Sequence, residues 1–240
     1  FWTPYGATEC LPVAVIEGEQ LHLTRAGTEQ GFGTCVGWAL PENTVRLIKI
    51  NDDAIIDWND NLQVEQGEIG ELTVAGPSAT DSYFHREHAN QMGKITKTLS
   101  NGTQRIVHRM GDLAWQGSQA RIWFCGRKSQ RLQTLQGLLG TENVEPIFNI
   151  HPSVLRSALV GIGPSHQQIP VLCVELEANN KLSEAQLKTE LLAIARTHRH
   201  TQHIDIFLVH PKFPVDIRHN AKIGREQLSV WAAECLSKKQ

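Results

Sequence analysis

From residue 45 to residue 125 the apolar positions fall in short alternating or clustered runs, cut off by Gly, Pro, Asn or Asp, which is the spacing of strands. Val45-Arg46-Leu47-Ile48-Lys49-Ile50 and Gly70-Glu71-Leu72-Thr73-Val74-Ala75-Gly76-Pro77 carry the signal most clearly. Residues 108–115 and 121–125 read as two further strands joined by a turn at Gly117-Ser118, and residues 86–92 as a short helix. Beyond Gly126-Arg127 the pattern changes. A helix is predicted over 142–149, strands over 157–162 and 170–176, and a strand over 204–209. Leu187, Leu191 and Ile194 recur at helical spacing behind Ser183-Glu184, so 183–197 reads as a capped helix. Leu228, Trp231, Ala232 and Cys235 share one face of a final helix over 222–236.

These elements predict an α+β protein. Its β-rich first part ends near residue 126, and residues 127–240 form an α+β part large enough to be a domain of its own. With 240 residues and 40% apolar content the chain can bury a core. A formal charge of −2 argues against a general nucleic-acid binder, and no apolar run reaches the roughly 18 residues of a membrane helix. Phe1-Trp2-Thr3-Pro4 lacks the basic-then-apolar layout of a secretion signal. The cysteines, 10, 35, 125, 173 and 235, are odd in number, far apart and free of any CxxC, as in a reduced, cytoplasmic protein.

Four short patterns carry candidate chemistry. In Tyr5-Gly6-Ala7-Thr8-Glu9 the Tyr5 ring can lie against a purine, the Thr8 hydroxyl can donate to a phosphate oxygen, and the Glu9 carboxylate can hold Mg²⁺. The competing reading is a turn after a strand, with Thr8 and Glu9 facing solvent or capping a helix. Asp112, after Met110-Gly111, can accept both hydroxyls of a ribose, although Gly-Asp after a β-run is also an ordinary turn. Arg127, after Trp123-Phe124-Cys125-Gly126, offers a cationic fork to a phosphate or ribose, or is a surface Arg at a domain edge. Lys222, in Arg218-His219-Asn220-Ala221-Lys222, can act as a loop-borne positive charge on a carboxylate attacking a phosphate, or is a solvated Lys at a helix start.

In this order and spacing the four patterns resemble the adenylate-forming superfamily of acyl- and aryl-CoA synthetases, peptide-synthetase adenylation domains and luciferases. The resemblance covers the whole chain. It implies an enzyme that activates a carboxylate with ATP and Mg²⁺. Residues 1–126 would be the end of its large adenylation domain, including a β-barrel-like subdomain, and 127–240 its small mobile C-terminal domain. It further implies that Tyr5 and Gly6 contact adenine, Thr8 the α-phosphate, Glu9 the Mg²⁺, Asp112 the ribose hydroxyls and Arg127 the ribose or a phosphate. Lys222 would be the adenylation lysine. The Ser/Thr/Gly-rich phosphate loop that the family carries upstream of its Tyr-Gly-x-Thr-Glu is not in this sequence. The expectation is therefore the C-terminal part of the enzyme, inactive by itself.

Within the superfamily, Thr3-Pro4-Tyr5-Gly6-Ala7-Thr8-Glu9 followed by Leu11-Pro12-Val13, His108-Arg109-Met110-Gly111-Asp112-Leu113, Trp123-Phe124-Cys125-Gly126-Arg127-Lys128 and Asp216-Ile217-Arg218-His219-Asn220-Ala221-Lys222-Ile223 resemble the β-lactone synthetases of bacterial olefin biosynthesis. That branch implies a long-chain β-hydroxy fatty acid as substrate, closure of its acyl-adenylate to a β-lactone with release of AMP, and other olefin-pathway enzymes as partners. A fatty acyl-CoA or carrier-protein ligase, with CoA as co-substrate, is the alternative, and a non-catalytic nucleotide-binding fragment is the second. Two positions depart from the superfamily: Ser129-Gln130 stand at its usual hinge, and Ala221 replaces the Gly before its lysine. His198-x-His200-x-x-His203 and the pair His85 and His88 lack Cys or acidic ligands at convincing spacing and read as solvated groups rather than a metal site. Gly31-x-Gly33-x-x-x-Gly37 departs from a dinucleotide fingerprint and reads as a turn before a strand.

Overall fold

The computed structural model describes residues 1–117, 119–216 and 222–238. The chain divides into two compact units, Phe1–Ala26 with Gly33–Ser129, and Gly27–Phe32 with Gln130–Gln240.

In the first unit, β1 (Trp2–Ala7) and β2 (Cys10–Glu17) form a hairpin, followed by α1 (Gly18–Glu29), β3 (Thr34–Ala39), β4 (Thr44–Ile48) and β5 (Gly70–Ala75). Next come α2 (Glu87–Gly93), β6 (Lys94–Thr98), β7 (Gln104–Gln116) and β8 (Ile122–Arg127). The sheet order is β1-β2-β3-β8-β7-β5-β4, with every pairing antiparallel. The long β7 gives one edge to β5 and divides the other between β6, which pairs with residues 104–108, and β8, which pairs with 112–116. Residues 109–111 are therefore the joint at which β7 changes partner. Cys10, Val13, Ala14, Val36, Leu72, Val74, Met110, Ala114 and Ile122 form a core under the hairpin, and Tyr5 packs against it. A second cluster gathers Ile48, Ile55, Ala75, Ile95 and Val107.

The expected strands at 45–50, 70–77, 108–115 and 121–125 correspond to β4, β5, β7 and β8, and the helix at 86–92 to α2. Ser118, in the turn expected between β7 and β8, lies outside the described residues. The hairpin is closed there by the Gly117 N–H, which donates to the Arg121 carbonyl at 3.1 Å. β1 and α1 escape pattern reading for physical reasons. Pro4 interrupts β1, which an outermost strand tolerates because one of its edges needs no donor. Helix α1 contains Gly27 and buries only Thr24, so it has no apolar stripe to reveal it.

The second unit opens with a small hairpin, β9 (Leu132–Thr134) and β10 (Gly137–Leu139), then α3 (Thr141–Asn149). Strands β11 (Val154–Ile162), β12 (Ile169–Leu176) and β13 (Ile206–Val209) form a sheet in that order, β11 antiparallel and β13 parallel to β12. Between β12 and β13 runs α4 (Glu184–Arg196), a crossover of the kind a parallel pair requires. Ser183 and Gln186 close a reciprocal capping box at its start. Alternate residues of the sheet face opposite cores. Leu159, Leu172, Val174 and Phe207 join Val144, Phe148, Leu187 and Leu191 of α3 and α4. Ala158, Val160, Val171, Cys173 and Leu208 join Leu228 and Ala232 of α5 (Arg225–Ser237). This is a sheet between helical layers.

The last helix begins at Arg225, not at residue 222 as the apolar spacing suggested. Gly224 occupies its N-cap, and Ile223 is held in extended form by a bridge to Val215. Glu145, on α3, accepts both terminal nitrogens of Arg225 and, at 2.8 Å, the Leu159 N–H on the outer edge of β11. Arg225 also donates to the Leu159 carbonyl at 3.3 Å. Ser229 caps the Gly161 carbonyl at 2.8 Å, so side chains complete the free edge of β11.

Candidate functional site

The Tyr-Gly-x-Thr-Glu stretch forms the β1–β2 hairpin, with Thr8-Glu9 as its two-residue turn. Its glycine is explained by space. A Cβ on Gly6 would lie 2.4 Å from the Cys10 carbonyl oxygen, inside the backbone of the paired strand. The register slips between Tyr5 and Ala7, a bulge that turns the Tyr5 side chain onto the sheet. Its ring leans on Phe124 with centroids 5.9 Å apart, and its hydroxyl donates to Asp112 Oδ2 at 2.5 Å.

Asp112 owes its orientation to the joint in β7. Gly111 has φ +66°, in the left-handed region, and the β5–β7 pairing slips by two residues across Met110–Asp112, which together stand opposite Leu72. Within the slip, Asp112 stands opposite Arg127, the last residue of β8. The Arg127 Nη1 lies 2.9 Å from Asp112 Oδ1 as an ion pair, and that buried oxygen has no partner in hydrogen-bond geometry. The Asp112 side chain is 3% exposed and that of Arg127 49%, so a buried acceptor is paired with a half-exposed cation. Burial raises the Asp112 pKa, against the Tyr5 hydrogen bond and the Arg127 charge, which lower it. Burial, then the Asp112 charge, raises the Tyr5 pKa far above the ordinary tyrosine range, which keeps the phenol protonated as a donor.

Beside this pair lies a second charge cluster that the motifs contained without announcing. Glu71 takes Arg109 in a fork at 3.2 Å and 2.6 Å, and Lys128 at 3.0 Å. Arg109 also donates to the carbonyls of Asn51, at 2.5 Å, and Asp53, at 2.8 Å, while Lys128 donates to Asn51 at 2.8 Å. The side chains of Glu71 and Arg109 are each 1% exposed. In the sequence Glu71 is only a charged residue within a run of β-formers; its burial is what the structure adds.

Thr8 is exposed and Glu9 partly so. The Glu9 carbonyl accepts the Thr80 N–H at 2.9 Å, and Lys94 donates to the Thr80 carbonyl and hydroxyl. The Tyr83 hydroxyl faces Glu9; burial and then the Glu9 charge raise its pKa. Burial lowers the pKa of Lys94, opposed by Cys10, Glu9 and Asp81. Tyr83, Lys94 and His108 were not foreseen here. Among the described residues no group of three or more His, Cys, Asp or Glu is placed to hold a metal ion. A single carboxylate such as Glu9 does suit Mg²⁺, which keeps waters and takes other oxygens from substrate phosphates.

Tyr5, Gly6, Thr8, Glu9, Asp112 and Arg127 thus share the first unit. Lys222 belongs to the second, where it is exposed and its carbonyl accepts the Asp216 N–H at 3.0 Å. Arg218, His219, Asn220 and Ala221, the rest of its motif, lie outside the described residues. The histidines of the 198–203 stretch make local bonds, His198 with Thr197 and His200 with the Asn143 carbonyl at 2.8 Å. Gly31, Gly33 and Gly37 all have positive φ; the first two precede β3 and Gly37 lies at a bulge within it. Among the described residues no helix is long and apolar enough to cross a membrane.

No protein-family model matches the chain. It is 55% identical over 235 residues to an olefin beta-lactone synthetase of Xanthomonas campestris pv. campestris, covering 98% of this chain and 42% of that protein. It is 55% identical over 239 residues to the olefin beta-lactone synthetase of Stenotrophomonas maltophilia, covering 100% of this chain and 43% of the relative. The chain thus spans less than half the length of these curated relatives. In fold it is similar to the amide bond synthetase McbA from Marinactinospora thermotolerans, with a TM-score of 0.71 at 18% identity over 96% of this chain and 41% of that one. The O-succinylbenzoate coenzyme A synthetase MenE from Bacillus subtilis, in complex with AMP, gives a TM-score of 0.66 at 21% identity over 95% of this chain and 40% of that one. The α+β class expected from the sequence is the class observed, and the fold is that of adenylate-forming enzymes.

Proposed function

We infer the function from a membership: the chain belongs by sequence and fold to the adenylate-forming superfamily, beside the olefin beta-lactone synthetases. We propose that it is the C-terminal portion of an ATP-dependent enzyme that adenylates a long-chain β-hydroxy fatty acid and closes the acyl-adenylate to a β-lactone with release of AMP. The observation that carries the nucleotide half of this reading is Asp112, a buried carboxylate with an oxygen lacking a hydrogen-bond donor, between Tyr5 and Arg127.

In this reading Asp112 accepts the ribose hydroxyls, Tyr5 and Gly6 border the adenine, and Arg127 moves onto the ribose or a phosphate. Thr8, exposed at the hairpin tip, donates to the α-phosphate, and Glu9 holds Mg²⁺, which when bound neutralises phosphate charge. Lys222 supplies positive charge as the carboxylate attacks phosphorus. In the second step the substrate's own hydroxyl attacks the activated carbonyl carbon. The carbon–oxygen bond of the ring forms, the bond to AMP breaks, and the hydroxyl proton leaves to solvent. Because nucleophile and electrophile share one molecule, the closure gains from proximity and needs no thiol. The division of the chain at Ser129 and the absence of an acidic residue or Lys at that position are compatible with a reaction lacking a separate acceptor.

The test is product identification with the full-length protein, ATP and a β-hydroxy fatty acid, with and without CoA. A lactone formed without CoA supports the reading. A thioester formed only with CoA would make the protein a ligase, and neither product, with no AMP released, would leave a nucleotide-binding fold without this chemistry.

A further inference from the structure

The two oxygens of Asp112 are in unlike situations, and the difference is made by the Tyr5 hydroxyl. Oδ2 accepts its hydrogen at 2.5 Å, whereas Oδ1 faces the Arg127 Nη1 at 2.9 Å without a hydrogen bond. Arg127 is the direct cross-strand neighbour of Asp112. An unrestrained carboxylate beside a guanidinium tends to turn into the two-oxygen fork, which is the stronger arrangement. That fork would commit the lone pairs on which a ligand hydroxyl depends. The Tyr5 ring is held separately, by Phe124 and the core beneath the hairpin, so the phenol oxygen stays in place whatever Arg127 does.

We propose that the Tyr5 hydroxyl is a positioning group: by holding Oδ2 it fixes the Asp112 carboxylate and reserves Oδ1 for a hydroxyl of the nucleotide ribose. The inference rests on the reading of Asp112 as the ribose acceptor and adds a role for Tyr5 distinct from contact between its ring and adenine. Substitution by Phe keeps the ring and removes only the donor. Oδ2 then loses its partner and the carboxylate swings toward Arg127.

The experiment measures binding rather than turnover. The full-length protein and its Tyr5→Phe variant are titrated calorimetrically with ATP and with 2′,3′-dideoxy-ATP, which lacks both ribose hydroxyls. The wild type is expected to prefer ATP. The variant is expected to lose about tenfold in ATP affinity, the scale of a lost orienting contact, with its affinity for the dideoxy nucleotide unchanged. The dideoxy titration also shows that the variant is folded. Loss of affinity for both nucleotides alike would overturn the proposal and assign Tyr5 to ring packing alone. Unchanged preference for ATP in the variant would overturn it too, while leaving the ribose reading intact. If the wild type, or an Asp112→Asn variant compared with it, shows that the preference does not depend on Asp112, the ribose reading fails and the proposal with it.

Discussion

Replacing Arg225 with Met tests what holds the second unit together. The change keeps an extended apolar stem and removes the charge. In the wild type the Arg225 side chain is 15% exposed and that of Glu145 8%, and they meet through both guanidinium nitrogens and both carboxylate oxygens. In the variant Glu145 keeps only the Leu159 N–H as a donor, and the Leu159 carbonyl on the strand edge loses Arg225. Breaking one side of a buried pair leaves a desolvated charge, which costs about 3–5 kcal/mol at neutral pH. Burial already raises the Glu145 pKa above its ordinary 4.5, against the downward pull of Arg225 and Leu159; without Arg225 it rises further. A carboxylate with a raised folded pKa gains from protonation in the folded state. That contribution is fully present below the unfolded pKa and is lost as pH rises through the folded one. The variant is therefore expected to lose most at pH 8 and to recover toward the wild type as pH falls into that window. Peptide-resolved hydrogen exchange of β11 and β12 across a urea series, at two pH values, reads this directly. Adding Glu145→Gln to the variant should return much of the loss. A loss below about 1 kcal/mol, or one that does not vary with pH, would refute the reasoning.

In the full-length protein, Lys222→Ala is expected to slow ATP–pyrophosphate exchange by about a hundredfold while leaving ATP affinity nearly unchanged, because the charge acts on the transition state; exchange at the wild-type rate would remove Lys222 from the mechanism. Gly6→Ala forces a Cβ to within 2.4 Å of the Cys10 carbonyl and should cost about 2 kcal/mol or more in thermal unfolding. Gly111→Ala, with open space but φ +66°, should cost only about 1–2 kcal/mol. Equal losses would contradict the distinction between steric and conformational need. The raised Asp112 pKa places a loss of ATP affinity on acidification, setting in above the ordinary carboxylate value of 3.8; Asp112→Asn should show weak affinity with no such acid limb in the same titration.

The strands of the first unit were legible where β-branched residues alternate between turn residues, as at β4 and β5. They were not legible where the chain breaks its own pattern, as at Pro4. Tyr5, Asp112 and Arg127 were each visible as members of short motifs, but their meeting at one carboxylate was not. It depends on β7 changing partner at residues 109–111 and on a two-residue slip against β5, both of which are properties of pairing rather than of local sequence. Glu71 looked like the polar half of an alternation. Only the burial of both faces of β5, which alternation along the strand cannot reveal, makes Glu71 a buried charge in need of Arg109 and Lys128. The final helix was placed three residues early because apolar spacing cannot register that the backbone at Ile223 is claimed by Val215.

The clamp on Lys128 bears on where the polypeptide can bend. Its ammonium is tied to Glu71 and to the Asn51 carbonyl, so the backbone leaving β8 is moored to the body of the first unit one residue beyond Arg127. A torsional pivot placed at or before Lys128 would have to break a largely buried ionic contact on each swing. One placed at Ser129 breaks none of these. A mooring of this kind would hold the backbone at Arg127 in place whatever the downstream chain does, and leave only its side chain free to turn.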